Sequence, residues 1–180
     1  MVEIYLENIC ERIQVKQGIS LADLADEYPS LTTYPILGAL VNNEIRDLKY
    51  KIYNPKCIRF FDITTSWGYR MYEGSMCFML YKAVKDVYPE ASLYIEHSML
   101  NGMFCRIMGT ADDNVSVAYK IREYMNKMVE DDISFEASYM LTEDAFKELS
   151  KVGNIATSRL IEDSNQLYCD VNYLGDAIHK

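Results

Sequence analysis

The sequence predicts an α+β protein that is built from two small modules joined by a polar segment. In residues 1–63, short stretches that alternate apolar and polar side chains, as half-buried strands do, surround one short helix. The rest of the chain opens with a strongly helical segment and continues with strands and helices in alternation. Between them lies the polar segment Thr64–Arg70. We therefore predict one domain over residues 1–63 and a second over residues 70–180.

The first module is predicted as four or five strands with one helix lying on the sheet. Val2–Leu6 alternates with period two, as expected of a strand with one buried face. Ser20 is placed to cap a helix over Leu21–Glu27, and Pro29 stops that helix. The other predicted strands are Ile9–Val15, Ile36–Val41, Glu44–Leu48 and Cys57–Ile63, with a turn at Asn42-Asn43. This is the order of elements of a β-grasp module.

The second module is predicted as helix, hairpin, helix, strand, helix and strand. Its first helix, Gly74–Tyr88, has the clearest apolar face in the chain. The dipeptide Asn101-Gly102 favours a tight hairpin turn, because both residues tolerate positive φ. The remaining predicted elements are strands Leu93–His97 and Met103–Ile107, helix Ser116–Val129, strand Ile133–Tyr139, helix Glu143–Val152 with Thr142 as cap and Gly153 as stop, and strand Gln166–Tyr173.

Composition argues against several classes of partner. The net charge of −9 repels phosphate backbones, so we do not expect tRNA or another nucleic acid to bind the chain as a whole. Five cysteines without a CxxC pair favour reduced thiols in a cytoplasmic protein. No apolar run approaches the ~20 residues of a membrane helix, and no signal peptide is apparent. We predict a cytoplasmic protein without membrane contacts.

Several short motifs occur in an order that resembles a known pair of domains. They are Glu73–Leu80, Lys82–Lys85, Tyr88-Pro89, Ile95–His97, Asn101–Phe104, and Leu167–Cys169 with Tyr173. Residues 1–63 resemble a TGS domain, which is a β-grasp module. Residues 70–175 resemble the second N-terminal domain of threonyl-tRNA synthetase, which hydrolyses mischarged seryl-tRNA in bacterial enzymes. The resemblance covers nearly the whole chain.

The resemblance also implies that the editing site is lost. Editing needs two histidines four residues apart on the first helix, where both imidazoles share a face, and a cysteine and a histidine near the end of the domain. The matching positions hold Gly74, Phe78 and Ala177, and the fourth falls beyond the chain. None of these side chains can donate, accept or ligate. We therefore expect no catalytic residue and no metal ligand here.

The same arrangement resembles the N-terminal half of bacterial uridine kinase-like proteins. The matching residues are Phe60–Thr64 and the Gly74-Ser75 pair of the first helix. A P-loop kinase domain follows in that family, whereas this sequence contains no GxxxxGK[ST] motif. The resemblance implies a non-catalytic regulatory or ligand-sensing region, cut before a C-terminal kinase domain that acts in cis. ATP and Mg²⁺ are expected only in that kinase domain.

Two alternative functions stay open. One is a tRNA-editing module that deacylates aminoacyl-tRNA, either free-standing or degenerate. It should retain the helix histidines and a basic surface, and the sequence has neither. The other is an adaptor for protein interactions, because β-grasp modules often present a sheet edge to a partner.

A groove between the first helix and the hairpin is the predicted ligand site. The residues that line this remnant are Ser75, Tyr81, Tyr94, His97 and Arg106. By fold analogy they would hold a nucleoside, nucleotide or amino acid without turning it over. A zinc site at His97 and Cys105 lacks further ligands, and a nucleophilic Cys77 lacks a predictable base. A structural histidine and a buried thiol are the favoured interpretations.

An aromatic and basic cluster lies at the predicted joint. Its members are Trp67, Tyr69, Arg70 and Tyr72. Such a cluster can stack a nucleobase, or it can pack one module against the other. We favour packing.

Overall fold

The computed structural model describes residues 1–99, 102–151, 161 and 166–179, which form two compact units. Unit 1 is Met1–Ser75 and unit 2 is Met76–Lys180. Both combine helices and strands, which confirms the predicted α+β class. Asn101 of the predicted turn, and Val152 and Gly153 at the predicted end of a helix, lie outside the described residues.

Unit 1 is organised around a five-stranded sheet. The strands of unit 1 are β1 (Val2–Leu6), β2 (Glu11–Val15), β3 (Ile19–Ser20), β4 (Gly38–Val41), β5 (Glu44–Arg46), β6 (Lys51–Ile52) and β7 (Cys57–Phe61). The main sheet has the order β2-β1-β7-β4-β5, and only the β1–β7 pairing is parallel. The short strands β3 and β6 pair with each other and were not predicted.

Local sequence signals explain the helix and one hairpin of unit 1. The helix α1 (Leu21–Glu27) begins at Ser20, whose hydroxyl accepts from the Asp23 N–H at 3.1 Å while the Asp23 side chain accepts from the Ser20 N–H. This capping box confirms the predicted cap. Asn42 and Asn43 have φ of 51° and 66°, as a tight turn between β4 and β5 requires.

The core of unit 1 lies between α1 and one face of the sheet. Its buried members are Val2, Ile4, Leu6, Val15, Leu21, Leu24, Ala25, Ala39, Val41, Ile52, Ile58 and Phe60. Alternation along β1 places Val2, Ile4 and Leu6 in this core and leaves Glu3 and Tyr5 exposed. The predicted helix and strands therefore build one continuous apolar layer.

The helix α2 (Ser66–Val87) begins eight residues before the predicted start at Gly74 and contributes residues to both units. The predicted boundary Thr64–Arg70 is therefore helical from Ser66, and the units divide at Ser75 instead. The cause is packing within unit 1. A Cβ on Gly68 would lie 1.9 Å from the Asp62 carbonyl oxygen, so only glycine permits this helix start. The Trp67 ring lies 6.3 Å from the ring of Phe61, which anchors the same turn.

Unit 2 contains two small sheets and the remaining helices. After α2 come β8 (Ser92–Met99), β9 (Gly102–Met108), α3 (Asn114–Glu130), β10 (Phe135–Leu141), α4 (Thr142–Lys151), β11 (Tyr168–Leu174) and β12 (Ala177–His179). The strands β8 and β9 form a hairpin, and β10, β11 and β12 form an antiparallel sheet in that order. The strand β12 was not predicted.

Two apolar clusters stabilise unit 2. The first joins α2, the hairpin and α3 through the buried residues Ala83, Val84, Ala91, Val117, Ile121 and Met128. The second joins α4 to the three-stranded sheet through Ala145, Leu149, Ile161, Cys169 and Val171. In the part of the chain that the structure describes, no helix has the length and apolar character needed to cross a membrane.

Candidate functional site

One stripe of α2 carries the positions that the resemblance singles out. Residues 74, 78, 82 and 86 follow at intervals of four and so share one face of the helix. Among the described residues, a Cβ added to Gly74 meets no atom within 4 Å beyond its chain neighbours and the nearby backbone of its own helix. Phe78, in contrast, is buried, and its ring lies 6.0 Å from that of Phe135 in β10. The first position is thus open and the second is filled by a hydrocarbon ring.

The next residue of the stripe, Lys82, is the centre of an ion network. The residue is only 5% exposed, and lysine is rarely buried unless its charge is paired. The ammonium lies 2.9 Å from Asp86 Oδ2 and also pairs with Asp176, in the turn between β11 and β12. The Tyr124 hydroxyl of α3 donates to Asp86 at 2.7 Å. The network therefore ties α2 to α3 and to the β11–β12 turn.

The pKa values of this network favour the charged forms. Burial alone lowers the pKa of Lys82, but the hydrogen bonds and negative charges of Asp176 and Asp86 outweigh it and leave this pKa raised. The hydrogen bond from Lys82 lowers the pKa of Asp176. Lys82 is therefore a protonated cation at neutral pH and does not serve as a base.

The turn after β11 places Ala177 close to the stripe. Gly175 has a φ of +59°, and a Cβ at that position would lie 3.5 Å from Lys82 Cε. Ala177 pairs with Leu174, which in turn pairs with Phe135, the residue that contacts Phe78. The structure thus brings Phe78 and Ala177 to the same part of unit 2. Neither side chain has a polar atom.

Three of the five residues predicted for the ligand groove share one face of the hairpin. In the strand register Tyr94 pairs with Arg106, and His97 pairs with Phe104. A bulge between Ile95 and His97 shifts the register by one residue, so that His97 lies on the same face as Tyr94. His97 and Cys105 consequently lie on opposite faces, which argues against the zinc site.

The side chains on this hairpin face form stacked pairs. The Arg106 guanidinium lies 5.6 Å from the centre of the Tyr94 ring and 2.6 Å from Glu96 Oε1. The His97 imidazole stacks on Phe104 with ring centres 5.4 Å apart and planes inclined by 28°. Cations over aromatic faces and offset stacked rings are favourable arrangements.

The other two predicted groove residues lie on α2. The Ser75 hydroxyl donates to the Met71 carbonyl at 2.9 Å, and Ser75 belongs to unit 1. Tyr81 is half-buried in unit 2, and burial raises the pKa of its hydroxyl.

Leu93 and Ile107, on the opposite face of the hairpin, pack against the cluster of α2 and α3, so Tyr94, His97 and Arg106 face away from that cluster. This geometry argues against a groove between the helix and the hairpin that joins all five residues.

One member of the aromatic cluster at the predicted joint, Trp67, packs within unit 1. The Arg59 guanidinium lies 5.7 Å from the Trp67 ring, which also contacts Phe61. Tyr69 and Tyr72 are exposed. Packing of Trp67 within unit 1 accounts for its position. The favoured packing of one module against the other stays a prediction, and base stacking stays its alternative.

Sequence reasoning did not identify the network around Lys82. A lysine in the middle of a helix is ordinarily expected to be solvent-exposed, and Asp176 lies far from Lys82 in the sequence. The available signal was the position of Lys82, four residues after Phe78 and four before Asp86. This spacing places a cation and a carboxylate on the same helix face as Phe78.

Comparison with known proteins relates the chain to threonine–tRNA ligases. No family model matches it. It is 26% identical over 163 residues to the threonine–tRNA ligase of Acetivibrio thermocellus, covering 91% of this chain and 26% of the ligase. It is 24% identical over 163 residues to that of Clostridium kluyveri (91% and 25%) and 25% identical over 146 residues to that of Desulforamulus reducens (81% and 23%). The chain spans about a quarter of the length of these relatives.

These similarities support a threonine–tRNA-ligase-like module. They fit the tRNA-editing interpretation better than the regulatory region of a uridine kinase. The TGS assignment of the first module, the association with a kinase domain that uses ATP and Mg²⁺, and the cytoplasmic location stay predictions.

Proposed function

We propose that this chain is a degenerate tRNA-editing module that binds the aminoacylated 3′ end of a tRNA without hydrolysing the ester. The similarity to threonine–tRNA ligases over 91% of the chain supports a tRNA as the partner. The net charge of −9 disfavours extended contacts with a phosphate backbone. We therefore limit the interaction to the single-stranded end and revise the expectation that tRNA does not bind.

The observation that carries the proposal is the burial of Phe78 against Phe135. Ester hydrolysis needs a base that activates water or a nucleophile that attacks the carbonyl. The editing positions offer a hydrogen atom at Gly74, a packed ring at Phe78 and a methyl group at Ala177. Because the Phe78 ring is packed inside the protein, it occupies the place where an attacking water would have to be held.

The network around Lys82 fits binding without turnover. Its ammonium is held by two carboxylates and stays protonated, so it cannot accept a proton from water. By fixing the turn at Asp176, it keeps the wall of the site in place next to Ala177. We assign Lys82 a positioning role.

The proposal is tested with seryl-tRNA specific for threonine. We expect saturable binding, and an ester lifetime that is unchanged or longer when the protein is in excess. Release of serine that requires the protein and is abolished by Cys77→Ala or His97→Ala would contradict the proposal and favour an active deacylase.

A pair of variants at one position locates the binding site. Because the space around Gly74 is open, both Gly74→Trp and Gly74→Ala should fold. Gly74→Trp places a large ring on the helix face that carries the stripe, so it should weaken binding of the aminoacyl-tRNA at least tenfold, whereas Gly74→Ala should leave binding unchanged. Equal binding by both variants would exclude the α2 stripe as the site.

A further inference from the structure

We propose that the outer face of the β8–β9 hairpin stacks two bases of a single-stranded RNA. This outer face is formed by Tyr94, Glu96, His97, Phe104 and Arg106. The inference rests on the proposed function in taking RNA as the partner. It goes beyond that function because it adds a second contact surface that the α2 stripe does not include.

The inner face of the hairpin is already used for packing. Leu93 and Ile107, which pair across the strands, pack against the cluster formed by α2 and α3. Their neighbours Tyr94 and Arg106 therefore belong to the opposite, outer face. Tyr94 is 47% exposed and Phe104 is 41% exposed. The outer face thus presents two aromatic rings to solvent.

The bulge at Glu96 assembles this face. Tyr94 and His97 are three residues apart, so in a regular strand they would lie on opposite faces. The bulge brings the imidazole back to the face of Tyr94, directly over Phe104. Bulges commonly re-aim side chains next to functional sites. The result is two stacked pairs side by side, Tyr94 with Arg106 and Phe104 with His97.

The shape of these pairs fits nucleobases. Each pair presents a planar aromatic or guanidinium surface, and nucleobases stack on such surfaces. Phe104 and Arg106 are two residues apart on β9, or about 7 Å, which leaves room for one base on each pair. Sheets that bind single-stranded RNA stack two or three bases on aromatic side chains in this manner.

The charges on the outer face determine how it would contact RNA. Arg106 is the one permanent cation of the outer face, and it is paired with Glu96 at 2.6 Å. The face therefore offers little attraction for a phosphate backbone, and stacking has to supply most of the affinity. This predicts weak salt dependence, because the slope of log affinity against log salt scales with the number of neutralised phosphates. Duplex RNA, whose bases are enclosed, should not bind.

The test measures fluorescence anisotropy of a labelled six-nucleotide oligoadenylate with the full chain. We expect saturable binding that weakens by no more than about sevenfold between 50 and 200 mM salt, corresponding to one or two phosphates. The double variant Tyr94→Leu/Phe104→Leu should bind at least tenfold more weakly. Both residues are exposed, so leucine preserves the fold, which circular dichroism verifies.

A matched control is available on α3. Tyr119 is exposed, and the Arg122 guanidinium lies 5.7 Å from its ring, so it forms the same type of cation–aromatic pair away from the hairpin. Tyr119→Leu should change oligoadenylate binding less than twofold. An equal loss in this control and in the hairpin variant would overturn the proposal.

The remaining outcomes are also decisive. Absence of oligoadenylate binding, or binding that the hairpin variant leaves intact, would overturn the inference. A face made of Tyr, Phe and Arg also suits a protein interface, so an oligomer that the hairpin variant dissociates, without RNA binding, would replace it. Because the oligoadenylate carries no aminoacyl group, failure here leaves the proposed binding of aminoacyl-tRNA at the α2 stripe standing. Oligoadenylate binding without retention of seryl-tRNA would reject the proposed function alone.

Discussion

The two units use their sheets in different ways. In unit 1 most of the central strand β7 is used for packing, with Ile58 and Phe60 in the core beneath α1 and Phe61 against Trp67 at the start of α2. In unit 2 the strands are divided between two smaller sheets, and the outer face of the hairpin stays exposed. In β7 only Arg59 is exposed, so this strand offers little surface to a ligand. The candidate binding surfaces therefore concentrate in unit 2.

The two units also differ in how they stabilise a buried charge. Among the described residues, the buried charged side chains are Asp62 in unit 1 and Lys82 in unit 2. Asp62 accepts hydrogen bonds from the backbone N–H groups of Tyr34 and Thr64 at 3.0 and 2.9 Å. Lys82 instead pairs with other charges. In unit 1, neutral N–H donors thus hold Asp62 against the loop that contains Tyr34. In unit 2, ion pairs of Lys82 hold the β11–β12 turn.

The largest expected effect tests the tight packing at the start of α2. In Gly68→Ala the new Cβ would lie 1.9 Å from the Asp62 carbonyl oxygen, so the helix has to shift. We expect the free energy of unfolding to fall by about 3 kcal/mol or more, at the upper end of overpacking effects. Urea denaturation measures it.

Gly74→Ala in the same helix is the control for that variant. Apart from the nearby backbone of its own helix, its Cβ meets no atom of the described residues within 4 Å, so replacing glycine should stabilise the helix by about 0.5–1 kcal/mol. Equal effects of the two alanines would show that helix propensity, and not packing, governs α2.

The second effect concerns the ion network of unit 2. Lys82→Met retains the apolar stem but removes the charge, and we expect a loss of about 1–2 kcal/mol in the free energy of unfolding. The loss stays below that of a fully buried pair because Asp176 is 85% exposed and can be hydrated. The raised pKa of Lys82 and the lowered pKa of Asp176 keep both of these groups charged at pH 7, where the measurement is made.

Lys120→Met is the matched control for the lysine variant. Lys120 also pairs with an aspartate, Asp112, at 2.7 Å, but its side chain is exposed. Exposed pairs contribute little, so we expect a change within about 0.5 kcal/mol. A loss equal to that of Lys82→Met would show that burial does not distinguish the two ion pairs.

The smallest effect is a pH dependence in unit 1. The Thr64 hydroxyl and the N–H groups of Tyr34 and Thr64 lower the pKa of Asp62. Its stabilisation is therefore present above the unfolded pKa of about 3.9 and is lost as the pH falls through the folded value. Asp62→Asn should lower the urea midpoint at pH 7 and approach the original protein near pH 3. A constant difference at both pH values would contradict this assignment.

Sequence reasoning succeeded where neighbouring residues decide the structure. The capping box at Ser20 and the turn at Asn42-Asn43 depend on side chains and φ values within a few residues. It was wrong about the start of α2, because a polar segment with Gly68 resembles a linker until Asp62 and Phe61 are placed beside it. The short strands β3, β6 and β12 depend on distant pairing and carry little local signal.

In the candidate site, too, residue identities were predictable from the sequence, whereas contacts between distant residues were not. The sequence indicated that positions 74, 78 and 177 hold no reactive group, since residue identity alone decides whether a side chain can donate or accept a proton. It did not indicate that Lys82 would meet Asp176, or that a bulge would turn His97 over Phe104.

The α+β class, the local caps and turns, and the lack of a reactive side chain at positions 74, 78 and 177 were predictable from the sequence, because each of these depends on residue type and short-range geometry. Tertiary structure alone decided where α2 begins, which lysine is buried and which face of the hairpin is left open. Those outcomes depend on contacts between residues far apart in the chain, whose energies no local pattern encodes.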